Sequence, residues 1–349
     1  MYIFILLVVI ILLFAGPLFK NAGKLKARKN YLIKVGLFFV LIAGLRDYNV
    51  GLDTGQYLDF FRYDSASDLS YIIRNTRFEI LFVCVCYLVK ILTGSFTVLL
   101  IIAAATHIFG AFKLLYDHSS IIWLGCLFFF LYGFYYRDFN EIRQAMAIGV
   151  ACLSFNYLLS GNWLKYFLVI ALATGFHYSA LIMAPLFFIN RIKTINTFWL
   201  CLIASLIMIM FSLSLLMFNY MNSVIVNEFN AIETTGGWGL LIMQIFTLVL
   251  GYLNKKSLCE NRNNLCAYYM IAYSAILFPL CHVNPTLFRL EQYSWLFMIV
   301  FLPNLLHVIK QKSIRYTLTL LYIGAGVFLS ITNYYTENNQ ILPYNFVWE

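Results

Sequence analysis

Long apolar runs, separated by short polar stretches, make up most of this 349-residue chain. The run at residues 198–217 contains no charged side chain, and it matches the roughly 20 residues that a helix needs to cross a membrane. The pattern predicts an all-α, polytopic integral membrane protein with about 12 transmembrane helices. The predicted spans are residues 3–14, 31–45, 96–114, 120–136, 143–160, 164–175, 178–190, 196–218, 238–254, 266–283, 289–308 and 316–333.

Composition favours a single membrane-embedded unit. Hydrophobic residues make up 62% of the chain and charged residues 11%, which excludes a water-soluble globule of ordinary composition. No long linker, low-complexity tract or obvious internal repeat interrupts the runs, so residues 1–349 are predicted to form one integral membrane domain. Basic residues follow the first run rather than precede it, which is typical of a retained helix with its N-terminus outside and not of a signal peptide.

The cysteine and histidine pattern gives no sign of metal chemistry. Most of the eight cysteines lie within apolar runs, and no CxxC pair or His/Cys cluster has the spacing of metal ligands. We therefore expect neither a disulfide scaffold nor a metal site, and we expect no cofactor.

The sidedness of the chain depends on the short apolar run at residues 78–92. If this run crosses the membrane, the later basic loops violate the positive-inside rule repeatedly; if it lies in the outer interface, the rule holds. In the interfacial arrangement the cytoplasmic side carries 16 Lys and Arg against 2 Asp and Glu, and the outer side carries 8 against 13. We therefore predict that residues 46–92 form an outer loop with an interfacial helix.

Arginine is distributed differently from lysine in this topology. Twelve of the 13 lysines fall on the cytoplasmic side, as topology signals do, whereas seven of the 11 arginines fall on the outer side. A guanidinium group grips a phosphate with two parallel hydrogen bonds, whereas an ammonium group offers a point charge. The outer arginines therefore indicate an anion-binding site. They are Arg46, Arg62, Arg74, Arg77, Arg137, Arg143 and Arg289.

The longest polar stretch, residues 46–79, contains the first candidates. We expect Arg46 to hold an anionic headgroup, and Asp53 or Glu79 to act as a general base toward a hydroxyl group. The alternative is a solvated loop whose arginines and aspartates pair with one another. This alternative is favoured for Arg62, Arg74 and Arg77.

Arg143 marks a second candidate position. Arg143 and Gln144 begin an apolar helix, where the helix dipole disfavours a cation, so the placement suggests that Arg143 and the helix N-terminus bind an anion together. Arg137 lies just before them and is expected to support the same site. The alternative is an Arg143 side chain that reaches to the membrane interface.

Four more residues complete the candidate set. His177 lies between two apolar runs that would each cover less than about 20 Å as α-helices, and it is expected to bind phosphate as the imidazolium or to act as acid or base. A hydrogen-bonded helix cap is the alternative. Arg289 and Tyr293 are spaced i, i+4 on one helix face, with an Arg289–Glu291 ion pair as the alternative. Tyr57 is a candidate for stacking on a ring, or else part of the interfacial aromatic belt.

At these positions the chain resembles the Wzy and EpsG-like family of bacterial polysaccharide polymerases. The matching pieces occur in the family's order and span nearly the whole chain, although the stretch between Arg46 and Gly51 is slightly expanded. They are Gly44-Leu45-Arg46, Val50 to Thr54 with Tyr57, Ile142-Arg143-Gln144-Ala145-Met146-Ala147, Phe176-His177-Tyr178-Ser179-Ala180, Arg289 with Tyr293, and Leu342-Pro343-Tyr344.

The resemblance implies a glycosyltransferase with a GT-C-like fold at the periplasmic face of the bacterial inner membrane. It implies joining of oligosaccharide repeats, carried on undecaprenyl diphosphate, into O-antigen, capsule or exopolysaccharide. The expected partners are then this lipid-linked oligosaccharide, membrane lipids and a chain-length regulator, and no nucleic acid.

The mechanism we expect is a metal-independent, inverting transfer. Arginines would hold the diphosphate, and Asp53, then Glu79, then His177 would be the candidates for the base. A lipid-linked oligosaccharide flippase or an O-antigen ligase is the alternative. Nearly charge-free spans with arginines on one side favour chemistry over passage. The diphosphate-binding set is Arg46, Tyr57, Arg137, Arg143, Arg289 and Tyr293.

Overall fold

The computed structural model of the protein describes residues 2–20, 25–63, 69–225, 238–282, 287–335 and 340–348. Its α-helices are α1 (Tyr2–Lys20), α2 (Leu25–Gly44), α3 (Thr54–Arg62), α4 (Leu69–Asn75), α5 (Ile80–Thr93), α6 (Phe96–His118), α7 (Ile122–Leu131), α8 (Arg137–Asn140), α9 (Ile142–Cys152), α10 (Phe155–Leu159), α11 (Trp163–Thr174), α12 (Thr197–Ile225), α13 (Trp238–Leu253), α14 (Lys255–Cys259), α15 (Arg262–Leu277), α16 (Phe288–Trp295), α17 (Met298–Val308) and α18 (Lys312–Tyr335). Two 3₁₀-helices cover Tyr178–Arg191 and Phe278–His282.

The prediction of an all-α membrane protein is confirmed at this level. Each of the 12 predicted spans coincides with helical structure, although residue 283, the predicted end of one span, lies outside the described residues. Five described segments are long and apolar enough to cross a membrane. They are Phe96–His118, Ile142–Leu159, Thr197–Met217, Arg262–Cys281 and Lys312–Thr332. The number of crossings and the GT-C-like arrangement stay predictions.

Among the five long apolar spans, those that begin at α6, α9 and α15 are the most buried, at 61%, 67% and 72%. Gly110 of α6 faces Gly149 of α9, and a Cβ atom on either residue would collide with the backbone of the other helix. The absence of side chains at these two positions lets the helices approach closely. By contrast, only 11% of the α12 span and 22% of the α18 span are buried. These two apolar helices therefore form the periphery, where lipid would contact them.

The short helix α5 has both ends at the same end of the bundle. Glu79, which precedes it, forms an ion pair with Arg143, and Thr97, just after it, contacts Tyr48 Oη through Oγ1 at 3.0 Å. Gly94 ends the helix in the left-handed conformation, with φ +65°. Fourteen residues cover about 21 Å as an α-helix, which is short of the roughly 30 Å of hydrocarbon. This geometry favours the interfacial interpretation of residues 78–92. We call this end of the bundle the site end.

Residues 340–348 return to the site end and hold the turn that follows α2. The amide of Asp47 donates to Asn345 O at 2.9 Å, and the amide of Val347 donates to Leu45 O at 2.9 Å. A short antiparallel pairing thus joins segments that are about 300 residues apart in the chain.

The expected geometry of the run at 178–190 is wrong in one respect. We predicted an α-helix of less than about 20 Å, but Tyr178–Arg191 is a 14-residue 3₁₀-helix, which at about 2.0 Å rise per residue covers about 28 Å. Pro185 lies inside it, and proline removes a donor and clashes with the preceding turn of an α-helix. The segment is held against α11 by a hydrogen bond of 2.6 Å from Tyr166 Oη to Met183 O.

Candidate functional site

A cavity of about 280 Å³ opens at the site end. Five separate parts of the chain contribute to its wall: the start of α3, the residues before α5, the start of α9, the loop after α11, and α16. Its lining residues are Asp53, Gln56, Tyr57, Arg77, Phe78, Glu141, Arg143, Gln144, His177 and Arg289.

A larger cavity, of about 560 Å³, lies at the other end of α11. Its charged lining residues are Lys193, Glu260 and Arg262. Arg262 donates a hydrogen bond to the carbonyl of Ile192, so part of that guanidinium is committed to the protein. The smaller cavity concentrates more charged groups and a histidine, and we therefore take it as the candidate site.

Arg143 is held in the cavity wall by a carboxylate and two rings. Its guanidinium forms an ion pair with Glu79, and both side chains are largely buried, at 15% and 4% exposure. Glu79 Oε1 also accepts a hydrogen bond of 3.2 Å from the amide of Tyr178. The guanidinium lies 4.5 Å from the ring centre of Phe78 and 5.8 Å from that of Tyr57. These contacts fix the guanidinium before any ligand arrives.

Glu141 holds two other arginines in place, as Glu79 holds Arg143. It forms an ion pair of 2.8 Å with Arg137 Nη1 and a longer one of 3.7 Å with Arg289 Nε. Gln144 fixes the backbone at Arg289, because its Nε2 donates to Arg289 O at 2.7 Å. The Arg289 side chain is 37% exposed. It therefore remains accessible from the cavity.

Asp53 differs from the other carboxylates of the cavity. Among the described residues, its side chain has no ion pair or side-chain hydrogen bond, and it does not cap α3. Burial raises the pKa of Asp53, while the nearby charge of Arg289 opposes the shift. A half-buried carboxylate without a fixed partner has the properties of a proton acceptor.

His177 lies at the start of the 3₁₀-helix and is bonded through Nδ1. The Ser179 amide donates to His177 Nδ1 at 3.2 Å, and Ser179 Oγ lies 2.5 Å from the same atom. Tyr293 Oη lies 2.9 Å from Ser179 Oγ. His177 is thus both a cavity residue and the hydrogen-bonded helix cap of our alternative interpretation. Tyr293 is buried behind Ser179 and does not line the cavity.

Arg46 lies outside the cavity, contrary to our placement of it among the diphosphate-binding residues. It is fully buried and donates to the carbonyls of Ala43, Val50 at 3.2 Å, and Phe139 at 3.4 Å. Burial lowers the pKa of Arg46 to about 10. The turn after α2 leaves carbonyl groups inside the protein, and Arg46 satisfies them. Its role in this structure is to hold the turn.

One of the three arginines that we assigned to loop architecture is placed differently from our interpretation. Arg77, which we assigned to loop architecture, lines the cavity and donates to Gln56 Oε1 at 2.6 Å. Arg62 and Arg74 are not among the lining residues. Glu141 was not singled out, although the Arg137/Glu141 spacing of i, i+4 was a readable signal for an ion pair.

The fold and the site together define a helical membrane protein whose arginine- and carboxylate-lined cavity opens at one end of the bundle. The EpsG family model matches residues 29–346. The chain belongs to the EpsG family.

Among curated proteins, the chain is similar to the amylovoran biosynthesis protein AmsC of Erwinia amylovora. The two are 27% identical over 185 residues, which cover 50% of this chain and 48% of that protein. The match therefore spans about half the length of either protein. No solved structure matches the chain.

Proposed function

We propose that the protein is a polysaccharide polymerase that joins lipid-linked oligosaccharide repeats at the outer face of the bacterial inner membrane. Family membership and the similarity to an amylovoran biosynthesis protein support the general role in polysaccharide biosynthesis. The observation that carries the proposal is the cavity itself, where arginines held by carboxylates surround Asp53, a carboxylate with no fixed partner in the described part of the chain.

The arginines suit the diphosphate of an undecaprenyl-linked donor. Arg77, Arg143 and Arg289 come from three separate elements and face one cavity, and Arg137 supports them through Glu141. Positive groups that are fixed before the reaction stabilise the charge that develops on a leaving diphosphate, at no cost of reorganisation. A guanidinium group can also donate two parallel hydrogen bonds to the oxygens of one phosphate.

Asp53 is the carboxylate best suited to act as the base. Glu79 is bound to Arg143 and to the amide of Tyr178, so its oxygens are occupied. In the proposed step the acceptor hydroxyl oxygen attacks the anomeric carbon of the donor sugar. Its proton passes to Asp53, and the bond from that carbon to the diphosphate oxygen breaks. The direct displacement inverts the anomeric centre.

Purified protein in liposomes, supplied with the lipid-linked repeat, tests the proposal. We expect long chains from the wild type, with or without a chelator. Because a positioned base typically contributes about 10² to 10⁴ in rate, Asp53→Asn should nearly abolish them. Asp59→Asn, in the helix that follows Asp53 and exposed, should not. Wild-type chain lengths in the Asp53 variant would reject Asp53 as the base.

Deletion strains separate this function from its rivals. A polymerase mutant carries single repeats on its lipopolysaccharide, whereas a ligase mutant leaves the core uncapped. A flippase mutant accumulates lipid-linked repeat that faces the cytoplasm. Either of the last two outcomes would reject the polymerase assignment.

A further inference from the structure

The hydrogen bonds around His177 determine which ring nitrogen carries the proton. The amide of Ser179 points at Nδ1 at 3.2 Å, and a backbone amide can only donate. Nδ1 must therefore present its lone pair, since an N–H at this position would oppose the amide N–H. In a neutral imidazole the proton then resides on Nε2.

The neighbouring hydroxyl groups form a chain that agrees with this assignment. With Nδ1 as acceptor, the Ser179 hydroxyl donates to it at 2.5 Å, and the Tyr293 hydroxyl donates to Ser179 Oγ at 2.9 Å. Tyr293 is only 1% exposed, so water does not compete for its hydroxyl. The order of donation runs from Tyr293 through Ser179 to His177.

Burial keeps the His177 ring neutral, although charged groups of both signs face it. Arg143 and Arg289 face it from α9 and α16, while Glu79 and Glu141 face it from the residues before α5 and α9. Burial lowers the pKa of His177 to about 4, with Glu79 opposing the shift. A second proton would also place an N–H against the Ser179 amide. At neutral pH the ring is therefore an uncharged donor through Nε2.

We propose that His177 donates a hydrogen bond from Nε2–H to an oxygen of the donor lipid's diphosphate, and that Ser179 and Tyr293 are positioning residues that fix this tautomer. The inference rests on the proposed function. It replaces both roles that the sequence suggested for His177, because an imidazolium is disfavoured and neither nitrogen is free to accept the acceptor proton. Within the described residues, no protein group bonds to Nε2, and the ring lines the cavity.

The tautomer is measured on the protein alone, without substrate. The chain has five histidines, so ¹⁵N-histidine labelling with His177→Gln as the assignment variant resolves this ring. We expect a protonated Nε2 and an unprotonated Nδ1 between pH 6 and 8. A protonated Nδ1, or a ring protonated at both nitrogens, would overturn the proposal.

Two substitutions at His177 separate a donor from a base. Glutamine keeps an N–H donor and cannot accept a proton, so His177→Gln should retain chain extension within about 10-fold of the wild type. His177→Ala should lose about 10²-fold, as removal of a fixed donor at a developing charge does. The exposed His307→Gln is the matched control. Equal loss in the Gln and Ala variants would identify His177 as a base and reject the donor role.

Ser179→Ala tests the positioning chain. It removes the closer hydroxyl donor but keeps the longer amide donor, so we expect Nε2 to remain the main protonated nitrogen, with a detectable Nδ1-protonated form in the ¹⁵N spectrum, together with about 10-fold lower kcat. Tyr293→Phe should shift both readouts in the same direction by a smaller amount. If both variants keep the wild-type spectrum and kcat, the positioning role is rejected.

Binding of undecaprenyl diphosphate distinguishes this inference from the proposed function. We expect the lipid to bind the wild type and His177→Gln similarly, and His177→Ala about 10-fold more weakly. A wild type that binds the lipid in this pattern but does not extend chains would reject the polymerase and leave the donor role standing. Equal binding and equal chain extension in His177→Ala would reject the donor role and leave the polymerase standing.

Discussion

Replacement of Arg143 by lysine keeps the charge in the cavity but removes the planar guanidinium group with its parallel N–H donors. In the structure this guanidinium binds Glu79, contacts Tyr57 and lies 4.5 Å from the ring centre of Phe78, and the side chain still lines the cavity. A lysine ammonium that stays with Glu79 cannot also span to a phosphate, because it is a single point of charge. The substitution should therefore impair transfer and leave folding largely intact.

The size of the effect follows from the contacts that are lost. One charge-assisted hydrogen bond contributes about 1.5–3 kcal/mol, and weaker stacking on the ring removes about 0.5–1 kcal/mol. The sum of about 2–4 kcal/mol corresponds to roughly 30- to 1,000-fold lower kcat/KM for lipid-linked repeat.

Chain extension in liposomes measures this loss, with thermal unfolding as the check on folding. Arg191→Lys is the matched control, because Arg191 also lies over a ring, 5.2 Å from the centre of Phe188, but at the opposite end of the 3₁₀-helix from the cavity. We expect the control to behave as the wild type. An Arg143→Lys protein that retains kcat/KM within threefold of the wild type would show that positive charge alone suffices. That result would refute the argument that the planar guanidinium is required.

Three further outcomes follow from the same structure. Burial raises the pKa of Asp53, so the ionised carboxylate destabilises the folded protein once the pH exceeds the pKa of the unfolded state. Asp53→Asn should therefore lose activity but unfold at an equal or higher temperature than the wild type at pH 7. The wild-type rate should fall as the pH drops through the raised pKa. Gly51 has φ +98° and packs against a neighbouring carbonyl, so Gly51→Ala should destabilise the protein by at least about 1–2 kcal/mol in denaturant unfolding. Gly55 has open space around it, and Gly55→Ala should be tolerated in the same measurement. In a cysteine-free background, Ser95→Cys should react with an impermeant reagent from outside and Ser160→Cys only after permeabilisation; cytoplasmic labelling at position 95 would contradict the interfacial α5.

The sequence predicted the elements better than the contacts between them. Apolar runs identify helices because a helix that crosses the hydrocarbon core needs about 20 apolar residues. All 12 predicted spans coincide with helical structure. The 3₁₀ geometry of Tyr178–Arg191 was not readable, since hydropathy reports burial and not the rise per residue.

The candidate site was predicted in part, for a similar reason. Four of the predicted residues meet in one cavity because each lies at or next to a helix end at the site end of the bundle: Asp53, Arg143, His177 and Arg289. Arg46 has the same residue type and a similar location, yet it points into the turn and binds carbonyls. The choice between a ligand and a backbone carbonyl depends on the local path of the chain, which a pattern of residue types does not contain.

The pairing of residues 45–47 with residues 345–347 imposes an arithmetic condition on the membrane topology. Two segments that touch lie in the same compartment, so the chain between them crosses the membrane an even number of times. The ten spans predicted after residue 95 meet this parity, and an additional crossing by α5 would break it. A reporter placed in the turn at residues 47–50 and one attached after residue 348 should therefore always report the same compartment, whichever way the protein is oriented.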